Sequence, residues 1–228
     1  MVAPVLHAHP LSSCCQKVLI AAHALGVELE QRLLDFSDAT QREAFLALSP
    51  MGRMPLLEDA GRVVAETSII IEHLQQHCAT GDVRLIPDDP AAALQVRYWD
   101  RICDFYVMTP MQALTAEQLK PDGSRNADAT AAATATLLKA YGVLDRQLAN
   151  TAWLGGGDFS LADCAAAPSL FYAVAYVAFP DGSARLSAYF ERLMEQGDVA
   201  AVVDAARPWL GMFPGRDGLA RRFYDPRA

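Results

Sequence analysis

The stretch SPMGRMPLLED, residues 49–59, contains the features that decide the fold of the first part of the chain. Residues 54–58 form a mostly apolar run that contains a proline, Asp59-Ala60-Gly61 are turn residues, and residues 62–65 form a second short run. This pattern predicts two strands joined by a tight turn. A helix is predicted next, because apolar and small residues recur there at helical spacing, namely Thr67, Ile70, Ile71 and Leu74.

Upstream of this hairpin, extended runs alternate with helical stripes. Strands are predicted at residues 4–8 and 27–34, and helices at residues 15–25 and 41–48, with Gly26 ending the first helix. The first two strands are expected to be parallel, because a right-handed crossover joins them through a helix. These elements predict an α/β domain over residues 1–80.

The rest of the chain is predicted to be all-helical. Prolines and acids in IPDDP, residues 86–90, are typical of an exposed connection, so we place a linker at residues 81–90. Beyond it, apolar residues keep helical spacing, as at Leu137, Tyr141, Leu144 and Leu148. Residues 91–228 therefore form a second, all-α domain.

Composition argues against several classes of protein, namely those that bind nucleic acid, those that bind or span a membrane, and those held together by disulfides. The 228 residues carry a formal net charge of −8 without a Lys/Arg-rich run, which argues against partners such as nucleic acid or an anionic membrane. No apolar stretch is long enough for a membrane span, and the start has no basic signal segment. Five cysteines, an odd number, do not indicate a disulfide framework. We expect a globular protein of the reducing cytoplasm.

Three short segments carry most of the chemical information. The first, LSSCCQKV at residues 11–18, places hydroxyl and thiol groups at a helix N-terminus, where unpaired N–H groups and the helix dipole stabilise an anion such as a thiolate. The second is residues 49–59, continued by ETSIIIEHL at residues 66–74. The third, FSLAD at residues 159–163, contains a capping box that starts a helix and has a structural role.

In this order, the three segments resemble the cytosolic glutathione transferase family, of bacterial type, over nearly the whole chain. The resemblance implies a thioredoxin-like N-terminal domain that binds glutathione and an all-α helical-bundle C-terminal domain that shapes an apolar second-substrate pocket. It implies Ser12 as the catalytic hydroxyl that stabilises the glutathione thiolate for attack on a small apolar electrophile. Glutathione is then the co-substrate, no metal or nucleotide is needed, and the protein is a homodimer.

The resemblance also implies the residues that hold glutathione. Met54 is expected to pair its backbone with the cysteinyl residue, beside a cis bond to Pro55. Glu66 and Thr67 match the acid and hydroxyl that bind the γ-glutamyl end. The alternative for Thr67 is helix capping, and the two roles are compatible. The predicted glutathione-binding set is Ser13, Gln41, Arg53, Met54, Pro55, Glu66 and Thr67, with Gln41 and Arg53 at the glycyl end.

The second-substrate pocket is assigned to Leu11, Arg101, Phe105 and Tyr106. The last three lie on the first long helix of the second domain, which faces the active-site cleft in the resembled fold. The alternative is that the aromatic residues pack in the core and Arg101 pairs with neighbouring acids. The tail from residue 208, with its aromatic residues, is a candidate to fold back over the cleft.

Other functions stay open at this point. Ser12-Ser13-Cys14 partly resembles the zeta-type maleylacetoacetate isomerases, although Gln16 and Lys17 replace their Trp and Arg. A reductase or peroxidase would depend on Cys14 or Cys15, and a non-catalytic glutathione or ligand carrier would need neither. Two histidine pairs suggest zinc, namely His7 with His9 and His73 with His77, but no matching ligand set is expected for either.

Overall fold

The computed structural model describes residues 3–35 and 37–225. The chain divides into two compact units, Met1–Leu85 and Ile86–Ala228, and this division falls inside the predicted linker. Within the described ranges, every helix is too short or too polar to cross a lipid bilayer. Each unit is described below by itself.

The first unit is built on a four-stranded mixed sheet. Its strand order is β2-β1-β3-β4, with β1 parallel to β2, β3 antiparallel to β1, and β4 antiparallel to β3. The predicted parallel pair is therefore confirmed. The strands are β1 (Val5–Ala8), β2 (Glu30–Leu33), β3 (Leu56–Asp59) and β4 (Arg62–Val64).

Among the described residues, this unit also contains the helices α1 (Ser13–Ala24), α2 (Ala39–Leu48) and α3 (Thr67–His77). Helix α2 begins two residues before its predicted start, because the Asp38 side chain accepts the N–H groups of Thr40 and Gln41. Gly26 ends α1 with a φ of +66°, as predicted. The second strand is shorter than the predicted run of residues 27–34, because only four of its residues pair with β1.

Strand direction brings separate parts of the sequence to one edge of the sheet. Because His7 pairs with Leu56 and Leu57 pairs with Val64, the end of β1, the start of β3 and the end of β4 lie together. We call this the first edge. The turn between β3 and β4 and the start of β2 lie at the second edge, opposite to it.

The second unit is helical. Its helices are α4 (Pro90–Cys103), α5 (Thr109–Gln118), α6 (Ala127–Gln147), α7 (Leu161–Ala173), α8 (Ala184–Glu195) and α9 (Gly197–Ala206), and a π-helical turn, Asp104–Met108, joins α4 to α5. All 13 residues of α7 are buried, so it is the central helix of the unit. Its sequence, rich in alanine, lets neighbouring helices approach closely. The predicted apolar face of α6 is buried, with Tyr141 fully inaccessible.

Asp163 connects the start of α7 to its surroundings. One carboxylate oxygen accepts the N–H and the hydroxyl of Ser160, both at 2.9 Å, which completes the predicted capping box. The other accepts the N–H of Leu154 at 3.0 Å and the hydroxyl of Tyr189 at 2.6 Å. Burial raises the pKa of the Asp163 carboxyl, against the lowering effect of these hydrogen bonds.

The C-terminal tail packs on the helical unit. The ring of Phe213 lies 4.9 Å from that of Tyr172, and the ring of Phe223 lies 5.1 Å from that of Phe171. At Gly218 the backbone comes so close to the segment that follows α7 that a Cβ atom would lie 2.0 Å from the carbonyl oxygen of Ala175. The tail therefore belongs to the core of this unit, and its proposed cover over a cleft stays a prediction.

Replacing Asp163 tests whether this carboxylate holds the helical unit together. Asp163→Ala leaves the N–H groups of Leu154 and Ser160 and the hydroxyl of Tyr189 without their buried acceptor. We expect a loss of about 3 kcal/mol or more in the free energy of unfolding. Urea denaturation followed by circular dichroism measures it.

The matched control is Asp158→Ala, which removes an exposed carboxylate from the same loop. It should change the free energy of unfolding by no more than about 0.5 kcal/mol. Equal urea midpoints for the two variants would show that the buried carboxylate of Asp163 stabilises the helical unit no more than an exposed carboxylate does.

Candidate functional site

Ser12 is the N-cap residue of α1, at the first edge of the sheet. Its Oγ accepts the N–H of Cys15 at 3.3 Å, and its own N–H donates to the carbonyl of His9 at 2.9 Å. Because the hydroxyl oxygen accepts this bond, its hydrogen can be donated to a ligand. The N-terminus of α1 adds N–H groups and a positive dipole end at the same point. This arrangement can stabilise an anion.

The residues after Ser12 fix the loop in place. Ser13, the first residue of α1, is buried, and the Gln16 side chain donates to the carbonyl of Pro10 at 2.8 Å. Lys17 is fully buried and donates its Nζ to the hydroxyl of Ser68 at 3.1 Å, which joins α1 to the first turn of α3. Sequence reasoning missed this link, although a lysine on the apolar stripe of α1 was a visible signal.

Met54 and Pro55 precede β3 at the same edge. The peptide bond between them is cis, as expected. Pro55 is buried, and the Met54 side chain packs against a small cluster formed by Leu34, Phe45 and Leu56. This packing fixes the segment against α2 and the sheet.

Glu66 and Thr67 follow β4 and start α3. Glu66 is exposed and has a φ of +69°, a left-handed conformation that is uncommon for a residue with a side chain. Such strain costs on the order of 1–3 kcal/mol and is concentrated at ligand clamps and active sites. Thr67 is the first helical residue, and Glu66 occupies the cap position, so the alternative that Thr67 caps the helix is wrong.

Gln41 and Arg53 are exposed, and both lie near the ends of elements at this edge. The Gln41 side chain donates to Asp38 at 3.1 Å and accepts the N–H of Asp35 at 3.4 Å, so it is held in the turn that caps α2. The Arg53 carbonyl accepts the hydroxyl of Ser49 at 3.4 Å. The structure therefore brings Ser12, Met54-Pro55 and Glu66-Thr67 to one edge, while Gln41 is bound to its own turn.

The predicted second-substrate residues fall in both units. Leu11 is partly buried in the first unit. In the second, Arg101 pairs with Asp100 at 2.8 Å and with Asp104, and its guanidinium lies 5.5 Å from the centre of the Phe105 ring. Pairing of Arg101 with neighbouring acids is thus confirmed. Core packing is wrong for Phe105 and Tyr106, which are 58% and 52% exposed on the π-helical turn.

The cysteines of the first segment differ in their surroundings. Cys15 is fully buried, and Cys14 is partly exposed. Burial raises the pKa of the Cys15 thiol to about 12, although its hydrogen bond to Ser12 acts in the opposite direction. A thiolate at Cys15 is therefore strongly disfavoured near neutral pH.

The two histidine pairs have different neighbours. His7 bonds Glu58 at 2.7 Å, across the β1–β3 pair. His73 bonds Asp59 at 2.7 Å, and Cys78 lies beside the same carboxylate. The sequence did not predict that Asp59 and Cys78 lie beside His73, because they come from a turn and a helix end that are distant from each other in the sequence. The expectation that neither pair binds zinc stays a prediction.

Family profiles match both units of the chain. The glutathione S-transferase N-terminal domain matches residues 11–77, and the glutathione S-transferase C-terminal domain matches residues 127–192. Together they cover more than half of the sequence. The chain belongs to the glutathione S-transferase family.

Individual relatives agree with this assignment. The chain is 27% identical over 173 residues to glutathione S-transferase PARB of Nicotiana tabacum, covering 73% of this chain and 80% of that protein. A delta-class glutathione transferase of Nilaparvata lugens superposes with a TM-score of 0.78 at 24% identity, over 93% and 99% of the two chains. A Methylobacillus flagellatus glutathione S-transferase with bound glutathione gives 0.78 at 22% identity, over 88% and 98%. The two structures share the fold.

The accessibility of the two adjacent thiols of this family member can be measured directly. With its pKa raised to about 12, Cys15 should resist iodoacetamide in the native protein up to about pH 10, because its thiolate fraction stays near one per cent. Cys14, partly exposed, is the internal control. Peptide mass spectrometry after timed alkylation reports both residues. Native Cys15 alkylation that follows an ordinary thiol titration, near pH 8.5, would contradict this account of the site.

Proposed function

We propose that this glutathione transferase activates the glutathione thiolate through Ser12 and transfers it to an electrophilic carbon of a small, largely apolar substrate. The observation that carries the proposal is the position of Ser12 at the N-cap of α1, with its oxygen accepting the N–H of Cys15. A thiolate bound beside it receives a hydroxyl hydrogen bond and the positive end of a helix dipole.

The size of these effects is adequate for thiol activation. Free thiols have a pKa of about 8.5, and each unit of lowering corresponds to about 1.4 kcal/mol of preference for the thiolate. A hydrogen bond to a charged group contributes about 1.5–3 kcal/mol. Ser12 and the helix end together therefore lower the thiol pKa by about one to two units, which makes the thiolate abundant at neutral pH.

The remaining predicted residues form the peptide-binding part of the proposal. The Glu66 carboxylate suits the α-ammonium of the γ-glutamyl group, and Thr67, with its hydroxyl and N–H at the start of α3, suits the α-carboxylate. The Met54 backbone pairs with the cysteinyl residue, next to Pro55. Support comes from the common position of these segments at the first edge and from the bound glutathione of the Methylobacillus flagellatus relative.

The proposal extends to the second substrate and to the assembly of the protein. Arg101, Phe105 and Tyr106 contact the electrophile, for which the exposure of the two aromatic rings is the supporting observation. Leu11, Ser13, Gln41 and Arg53 complete the glutathione and substrate contacts. We also propose a homodimer, as is usual in the family, and a cytoplasmic location, which the five cysteines without disulfides support.

The decisive test compares the thiol pKa of bound glutathione in the wild type and in Ser12→Ala. Ultraviolet absorbance of the thiolate, followed against pH at saturating glutathione, gives this pKa. We expect a value about one to two units below 8.5 in the wild type, rising by about a unit or more in the variant as the hydroxyl bond is lost. The rate of conjugation at neutral pH should fall in parallel.

Ser124→Ala, which removes an exposed hydroxyl in the loop before α6, is the matched control and should retain the wild-type pKa. A bound thiol pKa that does not differ between wild type and Ser12→Ala would reject Ser12 as the stabilising group. Failure of the wild type to bind glutathione would reject the proposed function altogether.

Charge at Glu66 should affect binding and not thiol activation. Glu66→Gln keeps the shape of the side chain and removes the carboxylate that faces the α-ammonium, so we expect a Kd for glutathione roughly tenfold higher. The thiol pKa of the glutathione that still binds should not change. Isothermal titration calorimetry measures the Kd.

Glu43→Gln, the same substitution at an exposed position of α2, is the matched control. If both variants keep the wild-type Kd, Glu66 does not contact the ligand.

A further inference from the structure

Three potential metal ligands meet at the second edge of the sheet, away from the segments assigned to glutathione. Asp59 ends β3, His73 lies on α3, and Cys78 follows the last residue of that helix. Asp59 Oδ2 lies 2.7 Å from His73 Nε2 and 3.8 Å from Cys78 Sγ. All three ligand atoms lie within 4.8 Å of one another.

This set of donor atoms has the chemistry of a zinc site. Imidazole nitrogen, thiolate sulfur and carboxylate oxygen are the three ligand types that zinc takes in proteins, in tetrahedral geometry. Bond lengths of about 2.0–2.3 Å place neighbouring ligand atoms roughly 3.3–3.7 Å apart. The Cys78–Asp59 separation is already close to this range, and the His73–Asp59 pair has to open by about half an ångström.

The cluster has room for an ion and for a further ligand. The three residues line a cavity of about 800 Å³, together with charged or ionisable groups from each neighbouring element: Glu28 before β2, Arg62 on β4 and His77 on α3. His77 is four residues after His73, and their rings lie 4.7 Å apart. Histidines at this spacing on one helix face are a known zinc-binding arrangement.

Burial favours ligand contacts at this point. The side chains of His73 and Asp59 are only 10% and 19% exposed, so few waters compete with a bound ion. Their positions are also fixed by the structure, because β3 pairs with β1 and β4, and α3 packs on α1. A site made from fixed elements loses little conformational entropy when it binds a metal.

We propose that Asp59, His73 and Cys78 bind a zinc ion, with a water molecule or His77 as the fourth ligand. The ion joins the turn between β3 and β4 to the C-terminal end of α3, and so stabilises the first unit. The site is separate from the glutathione function and does not depend on it.

Binding changes the protonation of one group. The pKa of the Cys78 thiol is raised by burial and by the neighbouring Asp59 carboxylate, so the metal-free residue is a thiol that donates to Asp59. When zinc binds, the sulfur–zinc bond forms, the S–H bond breaks and one proton passes to solvent. The proton that His73 Nε2 donates to Asp59 in the metal-free site moves to Nδ1 of the same neutral ring, so Nε2 can bind the ion, and Asp59 binds as a carboxylate.

The test uses the full chain without an affinity tag, stripped of metal by chelator and kept in a thiol-free reductant without glutathione. Zinc affinity is measured by competition with a chromophoric chelator, and Co²⁺ is added separately as a spectroscopic probe. We expect one zinc per chain, a rise in the Tm with zinc, and a thiolate-to-cobalt charge-transfer band in the near ultraviolet.

Variants assign the ligands. Cys78→Ser should abolish the cobalt charge-transfer band, and Cys78→Ser, His73→Ala and Asp59→Asn should each weaken zinc binding by at least about 100-fold, the upper end of the loss seen for outer-shell partners. Matched controls are Cys14→Ser, the other partly exposed thiol, and His23→Ala, an exposed histidine of α1. Both should keep the wild-type affinity and spectrum.

Two results would overturn the proposal. One is that the wild-type chain shows no saturable zinc uptake. The cluster would then only join the β3–β4 hairpin to α3 through hydrogen bonds. The other is zinc uptake that persists in all three ligand variants, or that the two controls lose equally. Circular dichroism of each variant establishes that it is folded, and unchanged glutathione affinity in Cys78→Ser separates this outcome from a failure of the proposed function.

Discussion

The hydrogen-bond pairing of β3 with its two neighbours is the constraint on which the first unit depends. Because β3 runs antiparallel to β1 and to β4, the chain leaves β1, enters β3 and leaves β4 at one edge of the sheet. Reversing any one of these directions would separate Ser12 from Met54 or from Glu66. Strand direction alone thus places the residues assigned to glutathione at the same edge of the sheet, although they are distant from one another in the sequence.

The same directions give the two edges opposite electrostatic character. Helices α1 and α3 both begin at the first edge, where their unpaired N–H groups favour anions such as a thiolate or a carboxylate. Both helices end toward the second edge, where unpaired carbonyls and a negative dipole end favour a cation. The helix orientations therefore favour an anionic ligand at Ser12 and Thr67 and a metal ion near Cys78.

Local features of this structure could be predicted from the sequence, and long-range ones only in part. Gly26 and the Ser160-Asp163 capping box were predictable, because each acts within a few residues of itself. The contact of Lys17 with Ser68 and that of His73 with Cys78 and Asp59 were not predicted, since they depend on how helices pack against the sheet. The π-helical turn that carries Phe105 was also not predicted, because the spacing of apolar residues does not show where one helix type gives way to another.

Ser12 and Cys15 determine which thiol chemistry their segment can support: disulfide exchange or the stabilisation of a ligand's thiolate. Their spacing is that of the two cysteines of a C-x-x-C redox motif, but a hydroxyl at the first position cannot form a disulfide. The second thiol is buried and its pKa is about 12, so it does not ionise near neutral pH. What remains is the helix N-terminus and a hydroxyl whose oxygen is oriented by the Cys15 N–H. These are the groups to which we assign the stabilisation of a ligand's thiolate, since the protein's own buried thiol does not ionise in that range.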